Sequence, residues 1–338
     1  MDIKKINHHQ LASNWLLTMI ILVFLIIMVG GLTRLTDSGL SITEWELFIG
    51  IFPPITNEDW ISYFNLYKMI PQYNLVNPLM TMDEFKIIFY WEYFHRLLAR
   101  LIGLTYLIPL IYFSYRNTFD KKTLVILYFI FFLILTQGFI GWYMVESGLI
   151  KNTTVSHYRL SLHLFFAFII ISFLIWNFLN YKNNEKKVFF SKKNKLTKLL
   201  FLFILFQIII GAFVSGLDAG LIYQTWPKMN LSFIPDDINF SYLNISYLFN
   251  NQSFVQFLHR SLAYLIIVLA IILGLKMLIN KETKFLKNYF IVFFVLTIQV
   301  LLGIFTLISG LNLYLASLHQ ITSVILVFTV LTLNHKLS

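Results

Sequence analysis

Four histidines, His95, His163, His259 and His319, each lie a few residues into a long apolar run that follows a loop on the acid-rich side of the chain. At 1.5 Å of rise per residue, all four sit roughly 6–9 Å below one boundary of the apolar layer. A lone histidine in such a place often serves only as a hydrogen-bonding contact between helices. Two pairs at one depth point to ligation. Imidazole suits iron, copper and zinc. A pair donated by two helices, with no cysteine and no third ligand nearby, best fits axial ligation on both faces of a haem iron. Small metals ask for more protein ligands. The chain contains no Cys, which also excludes a disulfide scaffold, a thiolate zinc site, a Cys-ligated iron–sulfur cluster and covalent c-type haem attachment. His8, His9, His157 and His335 take no role in this reading.

Arg96 and Arg260 directly follow two of these histidines, and Arg100 lies one turn beyond Arg96. Guanidinium inside a membrane is costly unless paired. Haem propionates are suitable bidentate partners, and snorkelling to the headgroups is the other reading. Glu92 precedes His95 by three residues, so the two share one helical face; the equivalent position in the second half is Gln256. A carboxyl near a low-dielectric boundary has reason for a raised pKa, and suits a general base or the stabilisation of a developing cation. An interface acid paired to Arg96 is the alternative. The asymmetry suggests chemistry in the first half and a fixed electron-transfer haem in the second.

The elements that must position these residues follow from composition. Of 338 residues, 58% are apolar and 12% charged, against about 45–50% and about 25% in soluble domains. A soluble globular enzyme is excluded. A hydrocarbon core about 30 Å thick needs about 20 apolar residues in helical form, because backbone groups in lipid have no water to bond. Eight such runs are present: Trp15–Leu32, Trp91–Tyr112, Thr123–Val145, Leu160–Leu179, Leu196–Val214, Phe254–Leu278, Phe285–Ile308 and Leu313–Leu333. The first follows Lys4 and Lys5 but is long and lacks a small-x-small cleavage site, so it reads as a retained span.

Seventeen of the 26 Lys and Arg fall at the N-terminus, in Arg116–Lys122, Lys182–Lys198 and Lys276–Lys287, and at Lys336. That bias places those segments and both termini in the cytoplasm, with the acid-rich loops and the histidine sites on the other side. The formal charge of +10 is therefore a topology signal rather than a nucleic-acid footprint. In the long first outer loop Trp60, Tyr63, Phe64 and Tyr67 recur at the spacing of an amphipathic helix lying in the interface, either as an aromatic anchor or as a lid.

Residues 30–45 (GGLTRLTDSGLSITEW) are echoed by 211–226 (GAFVSGLDAGLIYQTW) at an offset of 181, EYFHR at 92–96 by QFLHR at 256–260, and Ser-Leu-His at 161–163 by 317–319. The segment around Gln137–Gly141 likewise resembles that around Gln299–Gly303. Spans one to four thus match spans five to eight. An even number of crossings per unit makes these parallel repeats. The expected fold is an all-α integral membrane protein of two pseudo-twofold-related four-helix bundles, 1–181 and 182–338, with a porphyrin held between facing helices of each.

Together GGLTRLTDSGLSITEW, EYFHRLLARLIG, QFLHRSLAYL and the two Ser-Leu-His segments resemble the haem A synthase family, membrane enzymes that serve cytochrome oxidase assembly, from Gly30 to about His319. The resemblance implies oxidation of the C8 methyl group of haem O to a formyl group, through a hydroxymethyl and then a gem-diol that loses water. It assigns His259 and His319, with Arg260 beside them, to a haem b cofactor in the second half. It assigns His95 and His163, with Arg96 and Arg100, to the haem O substrate in the first, and matches Glu92 to the family's acidic residue there. It also implies surrounding lipid and, as a partner, the farnesyltransferase that makes haem O. The farnesyl tail asks for a pocket open to lipid and supplies binding energy remote from the reacting carbon. Some relatives carry a pair of outer-loop cysteines; this chain resembles the cysteine-free branch of proteobacteria and mitochondria, and the absence of a transit peptide favours a bacterial inner membrane.

Two readings compete. A two-haem b-type membrane cytochrome passing electrons to a quinone or ferric acceptor predicts two b haems, no product and no special role for Glu92. A transporter of duplicated architecture predicts spans broken at the bilayer middle, whereas the polar residues here cluster near one surface.

Overall fold

The computed structural model describes residues 3–46, 49–150, 152–189, 194–238 and 244–338. The side chains of Lys4, Lys5, His8 and His9, and all of Lys192 and Lys193, lie outside the described residues. Among the described residues every extended element is helical and none is a β-strand. Eight helices are long and apolar enough to cross a membrane: α1 (Ile3–Leu35), α4 (Met82–Tyr115), α5 (Lys121–Leu149), α6 (His157–Lys182), α7 (Lys195–Gly216), α9 (Gln252–Ile279), α10 (Leu286–Ile308) and α11 (Leu313–Leu337). Seven contain one of the expected runs whole and α10 contains all of its run but Phe285, and the chain is an all-α, multi-pass membrane protein. The short helices α2 (Asn57–Tyr67), α3 (Pro71–Leu75) and α8 (Ile245–Asn250) lie in the two long connections.

The chain divides into two compact units, Met1–Ile170 and Ile171–Ser338. In the first, α1 packs on α4 and α4 on α5. Trp15 fixes the α1–α4 contact, donating its indole N–H to the Thr105 carbonyl at 3.0 Å and tilting its ring on Tyr106 at 5.0 Å. In the second, α7 packs on α9, and α11 on both α10 and α7. There the Tyr289 hydroxyl of α10 donates to the Ala270 carbonyl of α9 at 3.0 Å.

Helix α4 begins at Met82, well before the apolar run at Trp91, because Thr81 and Glu84 cap each other's backbone N–H groups and so satisfy donors that a bare helix start leaves open. That extension receives α2. Phe64 stacks on Phe85 at 4.9 Å, and Trp60 meets Phe89 edge-on at 5.0 Å. Trp60, Phe64 and Tyr67 are buried in this cluster. The aromatic stripe expected at the interface is therefore turned onto α4 rather than outward to lipid.

Helices α1 and α7 end alike. Asp37 and Asp218, 181 residues apart, both take left-handed backbone angles, with φ of 50° and 51°, a conformation that Asp tolerates better than most residues. Each turns the chain into the loop that runs past the histidine-bearing helix.

Candidate functional site

Each of the four histidines rests against a glycine of the crossing helix that precedes it. A Cβ at Gly30 would come within 2.8 Å of His95 Cε1, at Gly141 within 3.1 Å of His163 Cε1, at Gly211 within 3.1 Å of His259 Cε1 and at Gly303 within 2.9 Å of His319 Cε1. Only a residue without a side chain leaves the imidazole this room. All four histidines are half-buried, so each keeps accessible surface that a fully packed core residue would lack. His95 and His163 belong to the first unit, and His259 and His319 to the second.

Glu92 is buried, with 3% of its surface exposed. Its Oε1 accepts from Arg96 Nε at 3.0 Å and Nη2 at 2.6 Å; its Oε2 accepts from Ser41 Oγ at 2.8 Å and the Ile42 N–H at 2.9 Å. Glu92 and Arg96 thus form the ion pair that is the alternative to a free acid. Arg96 also donates through Nη2 to the Ile42 carbonyl at 2.7 Å and through Nη1 to the Glu44 carbonyl at 3.0 Å, with Trp45 stacked on it at 5.3 Å. Arg100 Nη2 donates to the Glu46 carbonyl at 2.6 Å. Two of the three arginines expected on propionates, Arg96 and Arg100, therefore fasten the loop 42–46.

The second unit repeats this clamp without the carboxylate. Arg260 Nη2 donates to the Tyr223 carbonyl at 2.8 Å and Nη1 to the Thr225 carbonyl at 2.9 Å, the positions 181 residues after Ile42 and Glu44. Gln256 Nε2 donates to the Tyr223 carbonyl at 3.0 Å. Further out, Asp237 accepts from the Tyr223 hydroxyl at 2.8 Å and from Ser253 Oγ at 2.5 Å. Burial works to raise the Asp237 carboxyl, but these hydrogen bonds outweigh it and hold the group below its ordinary range. Burial, with the Glu46 carboxylate bonded to its hydroxyl, raises Tyr63 in the first outer loop.

These residues fit a bis-histidine porphyrin in each unit. His95 Nδ1, His163 Nδ1 and Arg260 Nε are buried without a hydrogen-bond partner, leaving imidazole nitrogens and a guanidinium N–H to be satisfied by something else. Among the described residues no three His, Cys, Asp or Glu side chains group as a small-metal site. Sequence reasoning missed the glycine contacts and three glutamines beside the histidines, Gln137, Gln207 and Gln299. A signal was present: each glutamine stands four residues before its glycine.

A family model for cytochrome oxidase assembly proteins matches residues 13–331. The chain is 48% identical to a heme A synthase of Pelagibacter ubique, over 98% of this chain and 97% of that one. It is 45% identical to a heme A synthase of Parvibaculum lavamentivorans over 78% and 76% of the two chains, and 40% identical to one of Wolbachia pipientis over 93% and 89%.

Proposed function

The chain belongs to the cytochrome oxidase assembly protein family, and from that premise we propose that it oxidises the C8 methyl group of haem O to a formyl group, giving haem A. The observation that carries the reading is the duplicated set of glycine-seated histidines, with buried Glu92 one turn before His95 and buried Gln256 at the equivalent place before His259. His259 and His319 would hold haem b, with Arg260, whose Nε is buried without a hydrogen-bond partner, beside them. His95 and His163 flank haem O, with Arg96 and Arg100 at its polar edge. The first substrate half runs over 1–181 and the cofactor half over 182–338, as parallel repeats. The chain lies in a bacterial inner membrane with both termini cytoplasmic and both haem sites toward the periplasm, and receives substrate from the farnesyltransferase that makes haem O.

Haem b, when bound, supplies a one-electron redox centre. The protein's own groups orient the substrate and handle its protons. The outer turn and Arg96 hold Glu92 beside His95, and Glu92 Oε2 is the atom at which a proton is taken up. The donor it faces there, the Ser41 hydroxyl, has the Ile88 carbonyl at 3.2 Å as a second acceptor, and a hydroxyl can rotate to reverse its role. Ser41 can thus turn to Ile88 and accept from a protonated Glu92 without leaving a buried group unpaired.

The test is expression with a haem O source, extraction of pigment and identification by mass. Haem A is the expected product. Two b-type haems without haem A would identify an electron-transfer cytochrome instead, and colourless protein after haem-replete growth would remove both readings.

A further inference from the structure

Ser41 and Ile42, the two residues that donate to Glu92 Oε2, belong to a buried turn that begins at Asp37. Ser38, Leu40 and Ser41 each expose no more than 2% of their surface, and the Ser41 N–H donates to the Ser38 carbonyl at 3.3 Å. Gln72 of α3, itself buried, reaches this turn from outside: its Nε2 donates to the Asp37 carbonyl at 3.0 Å. Its Oε1 accepts from the Tyr67 hydroxyl of α2 at 3.1 Å, and that hydroxyl accepts in turn from Asn77 Nδ2 at 2.9 Å. Tyr67 is fully buried, and Leu40 and Ile42 share its apolar cluster. A connected path therefore runs from Asn77 through Tyr67 and Gln72 to the turn, and from the turn to Glu92.

The second unit differs at the same place. Ile222, 181 residues after Ser41, is 43% exposed, and the residue matching Glu92 is Gln256. A buried polar brace thus lies over the turn that holds an acid. Every side-chain nitrogen and oxygen of Tyr67 and Gln72 has a partner, and a buried network satisfied in this way fixes one arrangement of the chain. We propose that Gln72 and Tyr67 are positioning residues for the reaction: through the Asp37 turn they set where Ser41 and the Ile42 N–H hold Glu92 Oε2. This rests on the reading above that Glu92 takes up a proton there. A displacement of about 1 Å in a reacting group costs up to about 100-fold in rate, even when its origin lies far from the chemistry.

The experiment uses the full chain loaded with haem b and haem O, and follows the initial rate of haem A formation by mass. Gln72→Leu is compared in the wild-type and the Glu92→Gln backgrounds; leucine is of similar size and cannot donate to the Asp37 carbonyl. In the wild-type background the rate is expected to fall about 10–100-fold with the haem b spectrum unchanged. In the Glu92→Gln background no carboxylate remains to be placed, and the residual rate is expected to change by less than about twofold, because residues that act through one another are not additive. Equal factors in the two backgrounds, or an unchanged rate in Gln72→Leu, overturn the inference and leave the brace a purely structural one. Asn74→Ala removes bonds to the Lys68 and Ile70 carbonyls in the same segment without touching the turn, and should keep the wild-type rate. A loss there equal to that of Gln72→Leu also overturns the inference. If Gln72→Leu does not fold, Tyr67→Phe decides by the same comparison; it removes one hydroxyl, keeps the ring in its cluster, and is expected to lose about 3–10-fold. Wild-type chain that makes no haem A, or a Glu92→Gln variant with the wild-type rate, removes the reading beneath the inference and the inference with it.

Discussion

The guanidinium of Arg96 closes on the carboxylate of Glu92 one helical turn away, at 2.6 and 3.0 Å, and the pair is buried. Removing one partner of a buried ion pair strands the other, typically at a cost of about 3–5 kcal/mol. Glu92→Ala is therefore expected to destabilise the first unit by that order and to lose activity for a reason unrelated to chemistry. Glu92→Gln separates the two effects, because the second unit already carries a glutamine at the equivalent position, bonded to the Tyr223 carbonyl. Glu92→Gln should keep the haem b spectrum and thermal stability while haem A yield falls by about 100-fold or more, the usual scale for losing a general base. Haem A yield near wild type in this variant would remove Glu92 from the proton-handling role.

The glycine contacts predict a graded series. Gly30→Ala, Gly211→Ala and Gly303→Ala each drive a Cβ to within about 3 Å of an imidazole carbon, and such overpacking costs about 1–3 kcal/mol. Gly211→Ala and Gly303→Ala should lose haem b absorbance, whereas Gly30→Ala should spare it and lower substrate binding. Gly103→Ala and Gly138→Ala meet nothing within 4 Å and should keep full pigment, with a gain of up to about 1 kcal/mol from helix propensity. Difference spectra of the detergent-solubilised variants check the whole series.

The eight spans were legible because a span is a matter of composition and length, and the four histidines because a polar ring stands out in an apolar run. The repeat is what leads the sequence to pair them within each half. Partners contributed by the backbone were not legible: Arg96 reads as a cation seeking an anion, yet two of its acceptors are the carbonyls of Ile42 and Glu44, which no side-chain type reveals. The spacing of Trp60, Tyr63, Phe64 and Tyr67 revealed a face but not what that face meets. Its partner, the first turns of α4, was hidden because the apolar pattern starts at Trp91 while the cap at Thr81 starts the helix.

That buried face makes α2 a structural brace for the helix carrying Glu92 and His95. Phe64→Ala removes a ring stacked on Phe85, and truncating a core phenylalanine costs about 3–5 kcal/mol. Ile61 on the opposite side is 52% exposed, and Ile61→Ala should change stability by no more than about 0.5 kcal/mol. Phe64→Ala is also expected to make the segment 57–75 a preferred site of limited proteolysis, with Ile61→Ala cleaved like wild type. Equal protease sensitivity in the two variants would show that α2 is not held through this face.

Asp237 ties the second outer connection to the start of α9 through Tyr223 and Ser253, and its carboxyl is held below the ordinary value of 3.8. A carboxyl whose folded value is lowered contributes stability in full above its unfolded value and loses it as pH falls through the folded one. The thermal-stability advantage of wild type over Asp237→Asn should therefore stay constant between about pH 7 and pH 5 and shrink only below about pH 4. Because the group is exposed, the advantage itself should be small and should weaken with added salt less than a surface ion pair would, since neutral hydroxyls rather than a cation hold the carboxylate. An advantage that instead disappeared between pH 7 and pH 6 would assign the dependence to a histidine and not to this carboxyl.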